Sequence, residues 1–203
     1  MSHSAELVDA TWHTRAETNR IVCLTHDNFV RIYHCENLKS PLKEYHLQSI
    51  YRDDHIGHKN FKTSQNIAMG NKFTYNGKTA YPVYVLKPNG QVDCLIDYDP
   101  SKAFEYLGEL QLAPPSELLD DPKVVSILCL PTFPNCLVLL LENSSMVHCL
   151  FMPKARGYDA NEENQGFEEN TDEAMLFIYE TINLDESNSI ENVKFLAGTF
   201  TNK

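Results

Sequence analysis

The chain has 203 residues, of which 42% are hydrophobic, and its formal net charge is -11. This hydrophobic content supports a packed core and excludes a disordered chain, while the acidic balance disfavours direct binding to a phosphate backbone. Residues 1–19 contain no apolar block of the kind that a secretory signal needs, and the longest strongly apolar run, Cys136–Leu141, is too short to span a bilayer. We therefore expect a cytosolic or nuclear protein that is not inserted into a membrane.

The first predicted element is a β-hairpin. Its strands are Arg20–Thr25 and Phe29–His34, and Asp27-Asn28 supplies the turn. The returning strand alternates apolar with polar residues, which predicts that one of its faces is exposed to water.

Two further hairpins follow along the chain. The second joins residues 81–87 to 91–98 through Pro-Asn-Gly at 88–90, because Asn-Gly tolerates the positive φ angles of a tight turn. The third joins residues 136–142 to 146–152 through Asn-Ser-Ser at 143–145. The three turns recur at intervals of about 55–60 residues, slightly longer than the repeat of a propeller blade.

Strand-like segments flank each hairpin. They cover residues 6–13 for the first, 66–75 for the second, and 124–130 and 174–184 for the third. Each unit is thus predicted to contain three or four antiparallel strands. A six-residue apolar run such as Cys136–Leu141 is typical of an inner blade strand, which is packed on both faces.

These patterns favour a propeller over a β-sandwich, because a sandwich has evenly spaced short strands without a long period. We expect an all-β fold over residues 1–203, an incomplete β-propeller of about three antiparallel blades. Because propellers close with about four to eight blades, either further chain or a second copy is expected to complete the ring.

Residues 157–173 interrupt the apolar pattern and contain several acidic residues without any Lys or Arg. Mutual repulsion and low apolar content predict an acidic flexible loop. One interpretation is a solvated insertion between two outer strands, and the other is a docking site for a basic partner.

The sequence predicts no catalytic, cofactor-binding or metal-binding residue. His55 and His58 lack the Glu and the helical register of a zinc hydrolase, so a loop pair is predicted. Cys129 and His148 could act as nucleophile and base, but an apolar strand environment makes a thiol inert. Trp12 is predicted to be a core residue of the first strand. We expect no enzyme, although a propeller channel can carry an active site.

Several short stretches of the sequence are more informative together than singly, because they occur in a particular order along the chain. They begin near Ala10-Thr11-Trp12, and continue with LTHDNFVRIY at 24–33, AYPVYVL at 80–86 before Asn89-Gly90, ILCLP at 127–131, PNCLV at 134–138 and His148-Cys149. In this order and spacing, over most of residues 10–185, the chain resembles the nucleoporin eighty-eight family of vertebrates and insects, whose insect member is called members only. An acidic loop follows at the same place in that family.

This resemblance implies the central part of an N-terminal seven-bladed β-propeller, followed in the family by coiled coils. It implies a structural role on the cytoplasmic side of the nuclear pore complex, in the export of proteins and mRNA. The implied partners are the Phe-Gly nucleoporins of two hundred fourteen and ninety-eight kilodaltons and, indirectly, the nuclear export receptor. The family's early blades and heptad segment have no counterpart here, and residues 189–203 match poorly. The alternative is a WD40-like propeller adaptor of another cytosolic or nuclear complex.

Overall fold

The computed structural model describes residues 6–15, 18–47, 50–53, 59–62, 64–98, 103–113, 123–132, 134–153 and 174–183. Within these ranges every regular element is a β-strand, and no helix occurs. The strands form three larger sheets and one short hairpin, and none of these sheets is closed into a barrel.

The first sheet has four antiparallel strands in chain order. They are β1 (Leu7–Trp12), β2 (Arg20–Thr25), β3 (Phe29–His34) and β4 (Lys43–His46). The predicted turn at Asp27-Asn28 joins β2 to β3, and Asn28 takes a left-handed φ of 63°. Val30 and Ile32 of β3 are completely buried, so the predicted one-sided alternation is confirmed. A separate hairpin of β5 (Ile50–Asp53) and β6 (Lys59–Lys62) follows.

The second sheet is also an antiparallel meander. Its strands are β7 (Asn66–Met69), β8 (Phe73–Tyr75), β9 (Lys78–Leu86), β10 (Val92–Tyr98) and β11 (Phe104–Glu109). The order is β7-β9-β10-β11, and the short β8 pairs with the start of β9. All seven side chains of β10 are buried, as are those of β9 after its first two residues. These two strands are therefore packed on both faces.

The third sheet repeats the four-stranded meander and adds one strand. Its members are β12 (Gln111–Ala113), β13 (Val124–Leu130), β14 (Cys136–Leu141), β15 (Ser145–Met152) and β16 (Met175–Asn183). The order is β12-β16-β15-β14-β13, with β12 parallel to β16. All six residues of the predicted inner strand β14 are buried.

The sheets stack side by side through two apolar clusters. Side chains of β2, β3, β7, β9 and β10 form the cluster between the first and second sheets. A larger cluster from β9, β10, β13, β14 and β15 joins the second sheet to the third. The first strands of the three meanders, β1, β7 and β13, are neighbours along one edge of this stack. The prediction of an all-β fold that forms an incomplete β-propeller is confirmed, with each meander as one blade.

The three hairpins are confirmed, but the structure differs from the local predictions in three respects. Residues 66–75 form two strands, because the chain leaves the sheet at Gly70 and returns at Phe73. The strands β4, β5, β6, β11 and β12 were not predicted, since they are short or half-polar. Trp12, which was predicted to be a core residue, is 67% exposed. It pairs with Ile21, and both side chains lie on the face of the first sheet that points away from the second sheet. The predicted acidic loop at 157–173 lies outside the described residues.

Candidate functional site

A buried polar cluster joins the first sheet to the second. The carboxylate of Asp97, in β10, accepts a hydrogen bond from His13 Nε2 at 2.9 Å and forms an ion pair with Lys43 Nζ. Lys43 also donates to the carbonyl oxygen of Tyr98 at 2.8 Å, and all three charged or polar side chains are buried. His13 Nδ1 accepts from the Arg15 amide, so the imidazole carries its proton on Nε2. The cluster fixes the relative position of the two sheets.

The first strands of the three meanders, β1, β7 and β13, are also joined directly by hydrogen bonds. Asp9 of β1 accepts hydrogen bonds from the side-chain amide of Asn66 and from the Ile67 amide, the latter at 2.9 Å. The Asn66 side-chain oxygen in turn accepts from the Ile127 amide of β13 at 2.8 Å. One asparagine of the middle sheet thus contacts both of its neighbours. Together with the two apolar clusters, these bonds make the three sheets a rigid support.

One broad face of the third sheet points away from the second sheet. We call this the third-sheet face. Its side chains alternate with those of the core cluster, and they are Leu128, Leu130, Cys136, Val138, Leu140, Met146, His148, Leu150, Met152, Phe177, Tyr179 and Glu180. Strands β13 and β14 form its inner half, and β15 and β16 form its outer half.

The outer half of the third-sheet face exposes large apolar side chains. Met152, Phe177 and Tyr179 are 50%, 45% and 48% exposed. A register shift between His148 and Cys149 lets Tyr179 lie on the same face as His148, with their ring centroids 5.9 Å apart. His148 Nδ1 lies 2.6 Å from a carboxylate oxygen of Glu180. The outer half is thus an apolar patch with one polar pair.

The tyrosine of this patch keeps its proton. Burial raises the pKa of Tyr179 above its ordinary value of 10.0, and the neighbouring Cys136 and Glu180 raise the pKa further. The hydroxyl is therefore neutral at physiological pH and can donate a hydrogen bond. Neutral aromatic and methionine side chains of this kind are enriched in protein–protein interfaces.

The structure separates Cys129 from His148, the two residues considered as nucleophile and base. Cys129 packs against the core cluster, where burial raises the pKa of its thiol to about 12, whereas His148 lies on the opposite face of the same sheet. His55 and His58 lie outside the described residues. In the part of the chain that the structure describes, no three His, Cys, Asp or Glu side chains are grouped to hold a metal ion. No helix among the described residues is long and apolar enough to cross a membrane.

A family model described as "Nup88: Nuclear pore component" matches residues 61–193. This match covers about two thirds of the chain, from the last strand of the short hairpin to beyond β16. The chain belongs to the Nup88 family. The resemblance inferred from the short sequence stretches is therefore confirmed at the level of the family, and the protein is a component of the nuclear pore. The first sheet lies outside the matched residues.

Membership in the Nup88 family gives the third-sheet face its context. The family is one of structural pore components, so contacts with other proteins are the relevant chemistry. Met152, Phe177 and Tyr179 were not among the residues predicted to be functional from the sequence. The signal was present in β16, since Phe177 and Tyr179 are two residues apart in a last strand, where polar side chains are expected on a solvent-facing side.

Proposed function

We propose that this chain is a protein-binding propeller module on the cytoplasmic side of the nuclear pore complex. In this role it supports the nucleocytoplasmic export of proteins and mRNA by holding other nucleoporins in place. The proposed partners are the Phe-Gly nucleoporins of two hundred fourteen and ninety-eight kilodaltons and, through them, the nuclear export receptor. Binding is direct for the nucleoporins and does not involve nucleic acid.

The observation that carries this proposal is the outer half of the third-sheet face. Exposed Met152, Phe177 and Tyr179 lie side by side on a rigid sheet in a member of a nuclear pore family. Contiguous exposed apolar residues of this size are typical of surfaces that bind other proteins. The His148–Glu180 pair beside them supplies a polar rim that can orient a partner.

The charge of the chain supports a protein partner over a nucleic acid. A net charge of -11 repels phosphate groups and attracts cationic or mixed protein surfaces. Membership in the Nup88 family favours a pore assembly over the adaptor of another complex.

Affinity capture from cell extract tests the proposal. The wild-type chain, a Phe177→Asp/Tyr179→Asp variant and a control are immobilised, and the recovered nucleoporins are quantified by mass spectrometry. The control is Leu38→Asp/Leu42→Asp, which adds the same two negative charges at residues that are 62% and 47% exposed in the connection between β3 and β4. We expect the Phe177→Asp/Tyr179→Asp variant to lose most of the recovered nucleoporins and the control to retain them.

The three results are distinguishable. Recovery of no nucleoporin by the wild-type chain would contradict the pore-scaffold function and favour the adaptor. Equal recovery by all three chains would place the binding surface elsewhere on the protein. Immunogold labelling of nuclear envelopes then tests the cytoplasmic location, which predicts gold particles on the cytoplasmic side of the pore.

A further inference from the structure

A pocket opens between the second and third sheets, where β8 begins and β15 ends. Its volume is about 420 Å³, within the range of about 300–1,000 Å³ that is typical of ligand-binding sites. Its walls are mostly apolar and consist of Phe73, Pro134, Phe151 and Pro153. None of these four residues belongs to the third-sheet face, so the pocket is a separate candidate site.

Two asparagines hold this pocket in shape. Asn135 lines the pocket and is 4% exposed. Its side-chain amide donates to the carbonyl oxygen of Asn71 at 3.1 Å, and its side-chain oxygen accepts from the Asn71 amide. The Asn71 side chain donates in turn to the carbonyl oxygen of Thr132 at 2.7 Å. The second and third sheets are therefore fixed to each other at the pocket, which lowers the cost of ordering it when a ligand binds.

Aromatic rings determine what the pocket can hold. The buried ring of Phe151 contacts Phe73 edge to face, with ring centroids 5.9 Å apart, and contacts Tyr84 in the same geometry at 5.4 Å. Phe73 is only partly buried and lines the pocket, so a ligand can reach its ring. Rings in edge-to-face or offset contact attract each other beyond the burial of apolar area. An aromatic ligand is therefore favoured over an aliphatic one of similar size.

The rim of the pocket adds a positive charge. Lys72 is an exposed residue of the lining. Lys43 and Lys87 each pair with a buried aspartate, whereas Lys72 forms no ion pair with any described residue. An ammonium group without a counter-ion, in a chain whose net charge is -11, attracts a carboxylate from another molecule. The pocket therefore combines an aromatic wall with a site for one negative charge.

We propose that this pocket binds an aromatic side chain of a partner protein that has an acidic residue directly beside it in sequence. The ring packs against Phe73 and Phe151, and the carboxylate pairs with Lys72. Phe, Tyr or Trp next to Asp or Glu, in an exposed segment of the partner, meets both requirements. This inference rests on the pocket alone, and it stands whether or not the partner belongs to the nuclear pore.

A titration of the full chain with blocked dipeptides, followed by amide chemical shifts, tests the proposal. The probes are acetyl-Glu-Phe-amide, acetyl-Gln-Phe-amide and acetyl-Glu-Leu-amide. We expect saturable shifts at Phe73, Thr74, Asn135 and Phe151. Replacing Glu by Gln in the probe should weaken binding about two- to fivefold, and replacing Phe by Leu about three- to tenfold. The proposal is wrong if no probe gives saturable shifts at these residues, or if all three probes bind equally.

Charge reversal at the rim provides an independent readout. Lys72→Glu should abolish the preference for acetyl-Glu-Phe-amide over the Gln probe and should favour acetyl-Lys-Phe-amide instead. The matched control is Lys39→Glu, at an exposed lysine in the connection between β3 and β4, which should leave the ranking of the probes unchanged. Both lysines are exposed, so the spectra of the two variants should remain those of a folded chain. An unchanged ranking in Lys72→Glu would contradict the role of the charge.

Sedimentation velocity distinguishes a partner protein from a second copy of this chain. Sedimentation that Lys72→Glu leaves unchanged supports a partner protein. If the chain instead forms a dimer that Lys72→Glu dissociates and Lys39→Glu does not, the second copy occupies the pocket and the proposal of a separate partner is wrong.

Discussion

The two junctions between neighbouring sheets are built from different chemistry. Between the second and third sheets, the described core contains twenty buried hydrophobic residues, whereas the cluster between the first and second sheets contains twelve. The smaller cluster lies beside the buried polar group of Asp97, Lys43 and His13. Among the described residues, the larger junction contains no comparable buried group of charged side chains. We call these the polar junction and the apolar junction.

The two junctions contribute differently to the stability of the protein and to the relative position of its sheets. Burial of apolar surface is not directional, so the apolar junction contributes stability roughly in proportion to its area. An ion pair in the interior must offset the cost of removing two charges from water, and its net contribution is small when both partners are present. Its hydrogen bonds, however, exist in only one arrangement of the sheets. The polar junction therefore fixes how the first sheet is placed, and the apolar junction holds the second and third sheets together.

The largest effect is expected from removing one charge of the polar junction. Asp97→Asn leaves Lys43 buried without its counter-ion, so we expect the free energy of unfolding to fall by about 3–5 kcal/mol. Urea denaturation monitored by far-UV circular dichroism measures this change. The reference is the double variant Asp97→Leu/Lys43→Met, which removes both charges. It should lower the free energy of unfolding by less than Asp97→Asn does. If Asp97→Asn lowers the free energy of unfolding by less than about 1 kcal/mol, Lys43 reaches water and the junction is not a closed polar cluster.

A smaller effect is expected at the apolar junction. Leu139 is completely buried in the larger cluster, and Leu139→Ala should lower the free energy of unfolding by about 2–5 kcal/mol through lost burial and a cavity. Because no charge is involved, the loss should be the same at low and high salt in the same urea experiment. The control is Leu38→Ala, an exposed leucine at which the change should stay within about 0.5 kcal/mol. A loss at Leu139 that changes with salt would contradict the assignment of this junction as purely apolar.

The apolar junction could be predicted from sequence far better than the polar one. The Asn-containing turns and the apolar runs around them predict the central hairpins of all three sheets, and β14 reads as a strand buried on both faces. These signals are local, because they depend on turn geometry and on the period of a strand. The short strand β4 was missed since its four residues, Lys-Glu-Tyr-His, have no apolar pattern, and only its contacts with neighbouring strands define it.

Long-range pairings explain why the rest could not be predicted. His13 lies 84 positions from Asp97 in the chain, and nothing near either residue indicates its partner. An aspartate within the apolar run of β10 was the one available signal, because a buried carboxylate requires a partner. Trp12 was assigned to the core from its residue type alone, and it is exposed because β1 has a neighbouring sheet on only one side. The outer patch was missed for a related reason: the sequence places Phe177 and Tyr179 on one face of β16, but only the packing of the sheets shows that this face has no neighbouring sheet among the described residues.

The smallest effect is expected at a polar contact on the surface of the first sheet. This exposed contact can be compared with the buried polar junction. Asp27 accepts two hydrogen bonds from the guanidinium of Arg31, at 2.9 and 2.7 Å. These bonds are the main cause that lowers the pKa of Asp27 from 3.8 to about 2. For a buried group this shift would correspond to roughly 2.5 kcal/mol. Because the Asp27 side chain is 40% exposed, solvent screening reduces the contribution to about 1 kcal/mol.

The pH dependence of Asp27→Asn follows from the direction of that shift. A carboxyl group with a lowered pKa in the folded state stabilises the protein above about pH 4, and this stabilisation is lost as the pH falls toward 2. We expect Asp27→Asn to cost about 1 kcal/mol at pH 7 and almost nothing at pH 2, measured as the difference from wild type in urea denaturation across this range. High salt should shrink the cost at pH 7, whereas the cost of Asp97→Asn should persist in high salt, because a buried pair is screened much less. Equal salt dependence of the two variants would contradict the distinction between a closed polar junction and an exposed surface pair.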